Sequence, residues 1–182
     1  MKSYKPLISE EKARELLTIR GRILRSKKTV PLKVELVHLP YYFFKVCAAN
    51  KKGVEKKFLA AVDGIIGTYA MVDDQLMEPV EIPRAEFPPA TTLAQARETL
   101  LKEAKWVLFQ KATRNKEEYL LKEAGPGELA WYPFWVAYYK NKKGAWGFLG
   151  LDAISGVLQS GKARRIFIHA FSKIRSTVNG ER

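Results

Sequence analysis

The chain has 182 residues, 47% of them hydrophobic, so it can bury a sizeable core without disulfide support. Its 32 Lys and Arg against 19 Asp and Glu give a formal net charge of +13, which favours polyanions or anionic surfaces as partners. The single cysteine, Cys47, excludes a disulfide framework, no run approaches the roughly 18 apolar residues of a membrane span, and residues 1–11 lack the apolar centre of an export signal, so a cytoplasmic protein without a transmembrane segment is expected.

Ser9 predicts a helix N-cap, with Glu10 and Glu11 suited to the positive end of the helix dipole. Ala13, Leu16, Leu17, Ile23 and Leu24 share a face, which predicts a helix over 10–25. Between residues 20 and 33 the charged side chains are all basic, among them Arg20, Arg22 and Lys27. They serve either as a solvated helix end or as an anion-binding patch.

Strands are predicted over 33–48 and 55–62, joined by a turn at Asn50-Lys51-Lys52-Gly53, with a third strand over 68–72. Pro40 lies inside the first strand and lacks an amide hydrogen, so an irregular ladder is expected there. The segment 73–91 carries five acids, one arginine and four prolines, which predicts an extended connector rather than a helix.

Thr92 and Gln95 form a capping box ahead of Leu93, Ala96, Leu100, Leu101, Ala104, Val107 and Leu108 at helical spacing. A short helix is expected over 116–124, ending at Gly125-Pro126-Gly127. A second hairpin is expected over 128–152, followed by an amphipathic helix over 162–177 with Ile166, Phe167, Ala170, Phe171 and Ile174 on one face.

The two hairpins resemble each other. Pro133-Phe134-Trp135 runs to Asn141-Lys142-Lys143-Gly144 and then to Asp152-Ala153-Ile154-Ser155-Gly156, as Pro40-Tyr41-Tyr42 runs to Asn50 and then to Asp63-Gly64-Ile65-Ile66-Gly67. Proline to asparagine spans eight residues in the later copy and ten in the earlier, and glycine to aspartate again eight and ten. An even change in each arm keeps every side chain on its own face and the arms in register, which predicts a duplicated hairpin. The expected fold is α+β: two helix-plus-antiparallel-hairpin repeats about an approximate internal twofold, with a C-terminal amphipathic helix. Repeat one covers 1–75, the acidic Pro-rich connector 76–91 and repeat two 92–182, packed into one core.

Both faces of the proline-led strands are apolar. Trp131, Trp135 and Tyr139 oppose Tyr132, Phe134 and Tyr138; Tyr42 and Phe44 oppose Tyr41 and Phe43. One helix covers one face of such a sheet, so the other is expected to meet the sister repeat, another subunit or a ligand. Asp63 with Gly67, and Asp152 with Gly156, read as tight turns in which the carboxylate accepts backbone amides, rather than as an acid/base pair. His38 and His169 have no ligand-spaced acid or cysteine, and 144–150 lacks the glycine-lysine-serine/threonine ending of a phosphate loop.

The order helix, aromatic strand, turn, strand and Asp-x-x-x-Gly, carried by Val62-Asp63-Gly64-Ile65-Ile66-Gly67 and Leu151-Asp152-Ala153-Ile154-Ser155-Gly156, resembles PepSY-type domains and the wider cystatin-like α+β group. The resemblance implies a helix packed on a small antiparallel sheet, and a non-catalytic binding or inhibitory module.

The expected function is a non-enzymatic binding or regulatory module. It would take a protein or peptide partner, or a second copy of the chain, on the aromatic surface of Tyr42, Phe44, Trp131, Trp135 and Tyr139. One alternative is a nucleic-acid-binding protein using Arg20, Arg22, Lys27, Arg164, Arg165 and Lys173. Another is a small-molecule enzyme with a pocket between the repeats, using Asp63 or Asp152. No cofactor or metal is called for.

Overall fold

A computed structural model describes residues 1–19, 28–73, 75, 77–84, 86–115, 118–140, 144–159 and 161–179. The fold is α+β. The strands are β1 (Lys2–Tyr4), β2 (Lys33–Asn50), β3 (Glu55–Asp63), β4 (Tyr69–Val72), β5 (Pro79–Glu81), β6 (Tyr119–Ala124), β7 (Glu128–Lys140), β8 (Trp146–Asp152) and β9 (Leu158–Gln159). The helices are α1 (Glu10–Leu16), α2 (Leu93–Asn115) and α3 (Gly161–Asn179).

The two proline-led strands form the centre of one nine-stranded sheet. β2 and β7 pair antiparallel from Lys33 opposite Tyr138 to Phe43 opposite Glu128. Outward from this pair, β3 and β4 follow β2, and β8 and β9 follow β7. The pairing is mixed, because Ser3 of β1 pairs parallel with Trp131 while β5 pairs antiparallel with β1.

The ladder passes both prolines without a register shift, contrary to the expected irregularity. Each residue of an antiparallel strand directs its N–H and C=O to the same edge. The Pro40 carbonyl accepts from the Gly64 amide (2.7 Å) and the Pro133 carbonyl from the Ala153 amide (3.2 Å), so both prolines turn their polar edge away from the central pair. The missing N–H removes no rung between β2 and β7.

The turns after β3 and β8 use the same bonds. Asp63 Oδ1 accepts from the Ile65 and Ile66 amides (3.0 and 2.8 Å), and Asp152 Oδ1 from those of Ile154 and Ser155 (2.8 and 3.0 Å). Each turn closes on a glycine at positive φ, Gly67 at +75° and Gly156 at +72°. Asp63 also accepts from the Thr68 amide and is fully buried, whereas Asp152 is half-buried and receives the Tyr132 hydroxyl at 3.1 Å.

α1 packs beneath the second hairpin with Val34 of β2 at its border, and α2 packs beneath the first. Ala13 and Leu17 pack with Trp135, Ala137, Tyr139 and Leu151, and Ala96 and Leu100 with Tyr42, Phe44, Ala60 and Val62. The leading loops are anchored alike: the Leu7 and Ile8 amides donate to the Ala153 carbonyl, and those of Ala90 and Thr91 to the Gly64 carbonyl. Trp135 Nε1 donates to the Ile8 carbonyl and the Tyr42 hydroxyl to that of Thr91, both at 2.8 Å. The expected Thr92–Gln95 capping box is present, with Thr92 N to Gln95 Oε1 at 2.9 Å and Gln95 N to Thr92 Oγ1 at 3.3 Å.

Two predicted helices change. The first ends at Leu16 instead of running to Arg25: Ile19 and Thr29 exchange both backbone bonds in a β-bridge, drawing the chain out of the helix. Residues 20–27 lie outside the described residues. The helix expected over 116–124 is strand β6, because β2 extends past the end of β7 and residues 119–124 pair with its free edge from Val46 to Asn50. Tertiary pairing overrides a weak local helical pattern there. β1, unforeseen, pairs with β5, which shares the extended character expected of the connector.

Candidate functional site

α3 covers only part of the sheet face opposite α1 and α2. Ile166, Phe167 and Ala170 are buried over the second hairpin. Phe167 meets Phe134 edge-on at 5.3 Å and Phe148 at 6.0 Å, and Phe171 meets Phe148 at 5.7 Å and Phe87 at 5.8 Å. Gly150 admits this helix: a Cβ there would lie 2.9 Å from Phe167.

On the same face, over the first hairpin, no helix lies among the described residues and a groove of about 1000 Å³ opens. Side-chain alternation along β2 puts Phe43, Lys45 and Cys47 on this face, and the register puts Leu59 beside Lys45 and Lys57 beside Cys47. Tyr4 of β1 stands edge-on to Phe43 at 5.2 Å. Tyr4, Phe43, Leu59 and Met77 therefore make an apolar lining, with Gly125-Pro126-Gly127 along one rim.

That rim is rigidly held. Gly127 sits at φ +88°, where a Cβ would lie 2.5 Å from the Phe44 ring, so only glycine fits. Arg97 of α2 donates to the Gly125 carbonyl at 2.7 Å and the Ala124 carbonyl at 3.0 Å, and the Gly125 amide donates to the Lys45 carbonyl at 2.9 Å.

The groove's charges are unequal in freedom. Lys2 Nζ lies 2.6 Å from Glu128, and this bond holds its pKa above the ordinary lysine value. Lys57 lies 4.0 Å from Glu55, Lys45 makes no ion pair among the described residues, and one further acid, Glu123 of β6 opposite Cys47, lines the groove. Burial, with Glu55 nearby, pushes the Cys47 thiol up, away from the thiolate a nucleophile needs. An apolar floor with one uncommitted ammonium accommodates a ligand with an apolar body and an anionic group.

The residues predicted as a partner surface lie on the opposite face. Tyr42, Phe44, Trp135 and Tyr139 are buried beneath α1 and α2, and Trp131 is half-buried with its indole N–H on the Phe87 carbonyl at 3.1 Å. α1 and α2 both pack on this face, which is why these aromatics fill the core instead of facing a partner. Arg164 and Arg165 are exposed on α3, with the Arg164 guanidinium 5.2 Å from the Phe148 ring. Arg20, Arg22, Lys27 and the Lys173 side chain lie outside the described residues.

Asp63 and Asp152 are committed to turn amides, as their spacing with Gly67 and Gly156 implied. Tyr41, wholly buried near both carboxylates, has its phenol pKa raised by burial and by their charge. His169 is exposed, and His38, half-buried beside Pro133, is held below the ordinary histidine value by burial.

Sequence reading missed the groove's Tyr4, Phe43, Lys45, Leu59 and Met77 as a site. The available signal was Lys45, the one charge between Leu39 and Ala49 in an otherwise apolar strand. No family model, curated protein or solved structure matches the chain.

Proposed function

We propose that this chain is a non-enzymatic binding module whose ligand is a small amphipathic anion seated in the groove over the first hairpin. The observation that carries the reading is Lys45: an exposed ammonium free of ion pairs among the described residues, opposite Leu59 and two residues from Phe43 on the lining of a groove of ligand size. The ligand's apolar body lies against Tyr4, Phe43, Leu59 and Met77, and its carboxylate or sulfonate meets Lys45, with Lys57 next to it.

The chain is two copies of a helix-plus-hairpin unit about an approximate twofold, each helix serving the other copy's hairpin. The matched Asp63 and Asp152 turns, the matched loop anchors on Gly64 and Ala153, and the paired positions of Ala13 with Ala96 and Leu17 with Leu100 support it. In the second copy α3 covers Tyr138 and Phe148; the first copy has no such helix among the described residues, and its Lys45 and Leu59 border the groove instead. The proposed kinship with PepSY-type and cystatin-like binding domains rests on the same unit of a helix on an antiparallel sheet.

The test is fluorescence titration with anilinonaphthalene sulfonate, an apolar anion, on the native protein. Lys45→Met and Lys45→Glu are expected to weaken binding by about tenfold or more, the order expected for losing a charge-assisted contact. Leu59→Asp is expected to abolish it. Equal affinity for the wild type and Lys45→Glu, with both proteins folded by circular dichroism, would remove the groove from the account.

A further inference from the structure

A separate surface lies on the outer side of α2. The inner side of the helix is accounted for by Ala96, Leu100, Ala104 and Leu108, all buried. Trp106 and Phe109 nevertheless point outward, 54% and 63% exposed, and stack on each other with ring centroids 5.8 Å apart and planes at 23°. Leu120 of β6 is 57% exposed and lines the same hollow as Phe109. A helix that is apolar on its solvent side marks an interaction surface.

The charge around this patch is positive. Lys102 and Lys105 flank the Trp106–Phe109 stack, are exposed, and make no ion pair among the described residues. Lys111, one turn along α2, reaches Met71 Sδ at 3.8 Å, and Lys122 is exposed on β6. Of the nearby acids, Glu118 is taken up by Lys51 at 2.9 Å, leaving Glu103 beside the stack and Glu98 one turn before Lys102.

We propose that this face is a peripheral docking site for a membrane surface rich in anionic phospholipid. Trp106, Phe109 and Leu120 enter the headgroup boundary, and Lys102 and Lys105 meet lipid phosphates. Three features select this occupant. The aromatic rings spend a face on each other and continue into an aliphatic side chain, which makes a hydrocarbon patch rather than a platform for stacking bases. The uncommitted lysines complement an anionic surface. A second copy would bring like-charged lysine pairs together.

The test is co-sedimentation of the full chain with vesicles of phosphatidylcholine alone and of equimolar phosphatidylcholine and phosphatidylserine. Binding is expected to the anionic vesicles only, to fall as salt is raised, and to drop about tenfold or more both in Trp106→Ala/Phe109→Ala and in Lys102→Glu/Lys105→Glu. All four positions lie on the solvent side of α2, and an unchanged urea midpoint certifies each variant as folded. The proposal is overturned if the wild type does not sediment with anionic vesicles at low salt, or if both variants bind as the wild type does. It is equally overturned if the same substitutions abolish binding to oligothymidylate, or a dimer seen by light scattering, while vesicle binding is absent.

Discussion

Replacing Asp63 by alanine removes the acceptor for three backbone amides, those of Ile65, Ile66 and Thr68, at a position that water does not reach. The Ile65 bond is fully buried and the other two partly so. A donor left unsatisfied in the interior costs about 1–3 kcal/mol, and the two partly buried ones recover some of that from water, so the loss is about 3–5 kcal/mol. Asparagine keeps Oδ1 for Ile65 and Ile66 but can set an amide donor against Thr68, and should cost about 2 kcal/mol. With a urea slope of about 2 kcal/mol/M, the alanine variant shifts the unfolding midpoint down by about 2 M. Asp152→Ala should cost less than Asp63→Ala, because Asp152 is half-buried. If Asp63→Ala shifts the midpoint by less than about 0.5 M, the turn is not held by this carboxylate and the reasoning fails.

Gly127→Ala should destabilise by about 2 kcal/mol or more, from positive φ and collision with Phe44, read as a lower thermal midpoint. Leu17→Ala and Leu100→Ala should each cost about 2–5 kcal/mol, and hydrogen exchange should show the first loosening β7–β8 and the second β2–β3. Burial raises the Tyr139 phenol to about 12, so its share of stability is complete below pH 10 and is lost as pH rises from there toward 12; Tyr139→Phe should make the alkaline loss shallower in urea melts taken at stepped pH, with the part owed to the other buried phenols, Tyr41, Tyr132 and Tyr138, retained. His38 is depressed by burial, so its contribution is present above pH 6.5 and lost as pH falls below it; its ring proton resonances should titrate below that value, and His38→Gln should reduce the acid-side slope.

The hairpins were legible because their signals are local: alternating apolar residues, an asparagine-to-glycine turn, and aspartate four residues before a glycine all act within one stretch of chain. The Thr92–Gln95 box is local in the same sense. β6 was not legible, since Tyr119-Leu120-Leu121 has no strong preference and becomes a strand only because β2 outruns β7. The early end of α1 depends on Ile19 meeting Thr29, a contact absent from helical periodicity. The packing of α1 and α2 on one sheet face is likewise invisible in one dimension, and it decides the site: it buries Tyr42, Phe44, Trp135 and Tyr139 and leaves the opposite face to α3. Lys45 in its apolar strand carried the one sequence mark of the groove, and its meaning needed the face that α3 leaves open.

Amide chemical-shift mapping during titration of the native protein with anilinonaphthalene sulfonate bears most directly on the groove. The account predicts saturable changes centred on Tyr4, Phe43, Lys45, Leu59, Met77 and the Gly125-Pro126-Gly127 rim, absent in Leu59→Asp. Changes that gather instead around Trp106 and Phe109, or that spread evenly over the surface without saturating, would contradict it.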